Sequence, residues 1–151
     1  MNDLKRNSIY DRKRNNVHKS SEIKIEVPDF TSSELLGEEA AKLAKEISKN
    51  GLTKSQIRNF YGEVKRIESL LKSSNENWSV LYNRIKLIKA KAVYNKYRDK
   101  KTENSFGPFA NFLCKSIDKI HNDEKGKENF MVFCQLFEAV VGYASEHVKN
   151  R

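Results

Sequence analysis

Lys54, Arg58, Lys65 and Lys72 follow one another at steps of four, seven and seven residues, and Arg84, Lys91 and Arg98 recur every seven. At about 100° per helical residue, each set gathers on one side of its helix, away from the apolar spacing of its neighbours. Evenly spaced cations suit evenly spaced phosphates, and the planar fork of arginine grips phosphate oxygens in pairs. Two such stripes on consecutive helices can flank one groove. Tyr61 and Tyr94 add rings that can stack on an unpaired base or donate to a 2′-hydroxyl. The plain alternative is that these cations only solvate helix faces, as most Lys and Arg do.

The distribution of charge favours a polyanion. The chain carries a formal charge of +9 over 151 residues, but unevenly. Residues 50–105 hold thirteen Lys and Arg against five Asp and Glu, whereas residues 21–49 hold four against seven and residues 106–151 six against six. The excess therefore lies on the segment that bears both stripes, where a nucleic-acid backbone would meet it.

Enzymatic chemistry has less to stand on. His18, His121 and His147 are too far apart for metal-ligand spacing, and no Ser or Cys stands in a nucleophile motif. An imidazole at His121, with Asp118, Asp123 or Glu124 beside it, would be the one arrangement able to move a 2′-hydroxyl proton, against the simpler reading of a solvated linker histidine. Glycine-rich phosphate loops are lacking. Cys114 and Cys134 lie twenty residues apart in apolar patterns, which suits reduced core thiols better than a zinc or redox pair. Neither a cofactor nor a metal is expected.

The elements that must position the cations are helical. Fourteen Phe and Tyr and 38% apolar residues give one domain a core. Residues 1–30 are polar and basic and read as a mobile arm, since Ile23, Ile25 and Val27 have no second run to pair with and Pro28 ends them. Residues 31–151 form the helical domain. Ser32 and Ser33 can cap a first helix over about 33–49, closed by Asn50-Gly51. Thr53 and Gln56 make a capping box for a second, carried to about residue 72 by Ile57, Phe60, Val64 and Ile67. Trp78, Leu81, Ile85, Ile88 and Ala92 carry a third over about 77–101. Pro108 fits the first turn of a fourth, with Phe109, Phe112, Leu113, Ile117 and Ile120 on its buried side. A polar link over 121–128 leads to a fifth, from Phe130 through Phe133, Phe137, Val140, Val141 and Ala144 to Val148. The expectation is an all-α, single-domain bundle of about five helices. No apolar run approaches the roughly 20 residues needed to cross a bilayer, and the start of the chain lacks the apolar stretch of a signal peptide, which points to the cytoplasm.

Three stretches, LTKSQIRNFYGEV at 52–64, LIKAKAVYNKYR at 87–98 and FCQLFEAVVGYASEH at 133–147, together resemble the small subunit of the type III-A CRISPR effector, the Csm complex. The likeness covers about residues 51–147, and the order of the stretches is its specific part. It implies an all-helical, non-catalytic subunit that stacks in copies along a ribonucleoprotein filament, against guide RNA and target RNA, while a neighbouring backbone subunit cuts the RNA. The family's basic face would fall on Lys54, Arg58, Lys86, Lys89, Lys91 and Arg98. Lys86 and Lys89 enter on the resemblance alone, since both point away from the stripe on an ideal helix. Where such proteins often carry a small residue before the arginine, this chain has Tyr97.

The expected surface thus comprises Lys54, Arg58, Lys65, Arg84, Lys86, Lys89, Lys91, Tyr94 and Arg98, selecting RNA by shape and backbone. Expected partners are guide and target RNA, other subunits of the effector complex and further copies of the chain, with no membrane. A helix-turn-helix regulator reading DNA through Lys54, Gln56 and Arg58 is the rival, and a scaffold without nucleic-acid affinity is a third possibility.

Overall fold

A computed structural model describes residues 24–73 and 75–148 of the chain. A π-helical turn, Leu35–Glu39, opens into α1 (Ala40–Ser48) and is followed by α2 (Lys54–Ser73), α3 (Trp78–Tyr97), α4 (Lys100–Ile117) and α5 (Glu124–Ala144). These make an all-α bundle in which α3 runs along α4, α1 along α5, and α2 packs on both α3 and α5.

The first helix is interrupted by Gly37, whose φ of −108° and ψ of −105° no helix adopts. Beside it the Tyr143 hydroxyl donates to the Leu36 carbonyl at 3.2 Å, tying the start of the bundle to the end of α5. Gly51, at φ 100°, takes the left-handed conformation that closes the α1 link, where a side chain would be strained. The capping box forms as the sequence predicts: the Gln56 N–H donates to Thr53 Oγ1 at 3.2 Å and the Thr53 N–H to Gln56 Oε1 at 2.9 Å.

The end of the third helix and the starts of the fourth and fifth differ from the sequence reading. The third helix stops at Tyr97, and the fourth begins at Lys100, because Asp99 caps it by accepting from the Thr102 N–H at 2.7 Å. Pro108 consequently lies inside α4 rather than in its first turn. Its ring nitrogen cannot donate to the Asn104 carbonyl one turn back, and the Asn50 side chain supplies that bond at 3.1 Å. Likewise α5 starts at Glu124, because Asp123 accepts from the Gly126 N–H at 2.6 Å, which shortens the expected link.

The arm expected over 1–30 begins to pack earlier than its boundary suggested. Ile25 is buried, Val27 and Phe30 lean on the core, and Lys115 donates to the Ile25 carbonyl. Residues 1–23 lie outside the described residues.

The core is built on phenylalanine. Phe60, Phe106, Phe109, Phe112, Phe133 and Phe137 meet in tilted and edge-on pairs, with Phe109 and Phe112 stacked, at centroid distances of 5.5–6.4 Å, joining α2, α4 and α5. Each buried ring contributes about 1.5–3 kcal/mol, so this cluster fixes how α2 stands relative to the rest. Trp78 reaches Phe130 and seats the start of α3. Cys114 and Cys134 are free thiols, and burial raises the pKa of both.

Candidate nucleic-acid interface

Helices α2 and α3 run antiparallel. Gln56 and Phe60 share walls with Tyr94, Asn95 and Arg98 at one end, and Arg66 and Ile67 with Arg84 and Leu87 at the other. Between them runs a groove in two parts, about 530 Å³ and about 200 Å³, which meet at Glu63 and Lys91. From Arg84 to Arg98 the groove follows α3 for about 21 Å at ~1.5 Å per residue.

On α3 the heptad spacing sets three cations along one side of the helix. Arg84, Lys91 and Arg98 all line the groove, with Tyr94 among them and 69% exposed. Their positions follow from Leu81, Ile85, Ile88 and Ala92, which bury the adjoining side of the helix about a quarter turn away. Arg98 is steered by its neighbours: Nη2 donates to Thr102 Oγ1 at 3.4 Å, and Nε lies 3.7 Å from Asp99. The Thr102 contacts hold the Asp99 carboxyl below the usual range, and the guanidinium adds to this.

The second expected stripe lies elsewhere. Lys54, Arg58 and Lys65 do not line the groove; α2 offers it Gln56, Asn59, Glu63 and Arg66 instead. Phe60 and Val64 must face the core, which leaves the two sets of residues on opposite flanks of the same helix. The two cationic stripes therefore do not flank one groove. Lys65 is further committed to Glu68, at 2.8 Å, with Lys72 at 3.9 Å from the same carboxylate. Arg58 is exposed and Lys54 partly so, and neither has an ion pair among the described residues.

Lys86 and Lys89 point away from the groove, as an ideal helix requires. Lys86 Nζ sits over the Tyr82 ring at 5.3 Å, and Lys89 binds Asp118 at the C-terminal cap of α4, which raises its pKa. Arg66, Asn59, Glu63 and Asn95 are the residues that sequence reasoning missed, and Gln56 entered it only as a cap and a DNA reader. Only the pairing of α2 with α3 reveals them, since on α2 the eye follows cations while the groove side is mostly uncharged.

Among the described residues no hydrogen bond or ion pair joins His121 to Asp118, Asp123 or Glu124. His121 is exposed, Asp118 is engaged by Lys89, and Asp123 is occupied in capping α5. Among the described residues no three His, Cys, Asp or Glu gather as a metal site, and no helix is long and apolar enough to cross a membrane.

No curated protein and no solved structure matches the chain. A family model described as Csm2 Type III-A matches residues 31–150, which takes in every helix among the described residues and both walls of the groove. On that match the chain belongs to the Csm2 family and is a small subunit of the type III-A CRISPR effector, the Csm complex.

Proposed function

We propose that this subunit holds RNA by its backbone, without reading sequence, as a non-catalytic part of the cytoplasmic effector. The groove between α2 and α3 carries the reading. Arg66, Arg84, Lys91 and Arg98 line about 21 Å of it, roughly six nucleotide steps at 3.4 Å each. Tyr94 stands exposed among them, ready to stack on a base or contact a ribose. Lys54 and Arg58, exposed to different degrees on the other flank of α2, form a second backbone patch. Lys65, Lys86 and Lys89 are engaged within the fold and contribute less.

Guide RNA and target RNA are the ligands, and stacked copies of the subunit bring successive grooves into line. A single groove binds weakly; a row of them on one strand binds tightly through effective concentration. The rival of a DNA-reading helix-turn-helix loses ground because Gln56, its central base reader, is occupied in the capping box and faces α3.

The test is fluorescence anisotropy of the full chain at low and rising salt, with single-stranded RNA, an RNA duplex and a DNA duplex. Binding that ignores RNA sequence and weakens on changing Lys54, Arg58, Lys91 and Arg98 to Ala supports the backbone reading. Preference for one DNA duplex sequence would sink it in favour of the regulator.

A further inference from the structure

Glu63 stands where a phosphate-binding groove should have no carboxylate. It lies at the junction of the two parts of the groove, 45% exposed at its side chain. Lys91 Nζ donates to both of its oxygens, at 2.9 and 3.2 Å. A carboxylate has about four acceptor positions, so the lysine leaves room for further donors. Facing a phosphate, those oxygens would repel it. Facing a hydroxyl, they would accept a strong, charge-assisted bond. Around Glu63 the groove is mixed: Asn59 and Arg66 lie one turn to either side of it on α2 and Asn95 one turn from Lys91 on α3, the two amides able to accept as well as donate, while Arg84 and Arg98 stand toward the ends.

We infer that Glu63 is a specificity-determining residue that accepts a ribose 2′-hydroxyl at the middle of the groove, so that the groove takes RNA in preference to DNA. The inference rests on the backbone reading above and adds to it a chemical reason for the choice of sugar. Phosphates of a seated strand engage the arginines, and the sugar edge turns toward Glu63, Asn59 and Asn95. A DNA strand in the same place offers Glu63 no donor and leaves its charge close to the backbone. Lys91 then has a second role: it holds the carboxylate in the groove and offsets part of its charge.

The experiment compares single-stranded RNA, DNA of the same sequence and 2′-O-methyl RNA on the full chain, by anisotropy at low salt, for wild type, Glu63→Ala and Glu63→Gln. Wild type should prefer RNA by about tenfold or more over either analogue, the worth of roughly one hydrogen bond to a charged group. Glu63→Ala should bring that ratio close to one, chiefly by tightening DNA, and Glu63→Gln should keep part of it through its carbonyl. If Glu63→Ala tightens RNA and DNA equally, or wild type does not distinguish them, Glu63 only repels and the inference fails while the backbone reading stands. A preference that follows base sequence rather than the 2′ group would also overturn it. Wild type that binds no RNA at all would remove the backbone reading itself, and this inference with it.

Discussion

The Asn50 side chain donates to the Asn104 carbonyl at 3.1 Å, the acceptor that Pro108 leaves open one turn later in α4. A proline inside a helix normally costs about 3 kcal/mol through the lost bond and ring clash. Here the short α1–α2 link, turned by Gly51, brings an amide to the gap. Asn50→Ala should therefore destabilise the protein by about 1 kcal/mol in urea unfolding. In a Pro108→Ala background the same change should cost close to nothing, because the new backbone N–H takes the carbonyl. A double-mutant cycle reads the difference directly.

Gly126 and Gly62 make a second contrast. A Cβ on Gly126 would lie 1.6 Å from the His121 carbonyl oxygen, so the backbone entering α5 would have to move. On Gly62 or Gly142 it would meet nothing within 4 Å. Gly126→Ala should cost about 2–3 kcal/mol by overpacking, whereas Gly62→Ala and Gly142→Ala should each add about 0.5–1 kcal/mol by stiffening a helix. Thermal melts of the three variants check the signs, and Gly126→Ala melting at or above the wild type would rule out the close approach.

Much of this fold was legible because its helices carry their own punctuation. The Thr53 and Gln56 box, the Asn50-Gly51 stop and the apolar steps of α3 each dictate local structure without help from distant residues. The start of α4 was not legible. Lys100, Lys101, Glu103, Asn104 and Ser105 look like a polar link, and Gly107-Pro108 looks like a helix start, until Asp99 and Asn50 are seen to supply the cap and the missing bond. The site divides the same way. Arg84, Lys91, Arg98 and Tyr94 follow from one helix and its period. Arg66, Asn59 and Glu63 belong to the groove only because α2 presents that flank to α3, which is a tertiary fact.

Glu68 gives the protein a dependence on acid. It is 8% exposed on α2, and burial alone would raise its pKa. The hydrogen bond and charge of Lys65, with Lys72 beside it, outweigh burial and hold the carboxyl below its usual range. A carboxyl lowered on folding adds stability that is fully present above the unfolded value of about 4.3 and is lost as pH falls through the folded one. Urea unfolding should place Glu68→Gln about 1 kcal/mol below wild type at pH 7, with the gap closing toward pH 3. A gap that stays constant across that range would mean that the pair carries no net charge energy.

The two flanks of α2 can be separated by their salt dependence. Arg84 and Arg98 line the groove, Lys54 and Arg58 lie on the opposite flank, and Lys89 is held by Asp118. Each phosphate contact with a single strand releases counterions, steepening the salt dependence of log K by roughly 0.7. Arg84→Ala with Arg98→Ala should therefore reduce the slope for single-stranded RNA by about 1.4. Lys54→Ala with Arg58→Ala should reduce it less, since a strand seated between α2 and α3 meets these residues only at its edge. Lys89→Ala should leave the slope unchanged while loosening the α3–α4 contact, visible as a small loss of melting temperature. If the Lys54 and Arg58 pair lowers the slope more than the groove pair does, the strand runs along the outer flank of α2. Tyr94→Ala would then be without effect on RNA affinity, which provides an independent check on the same assignment.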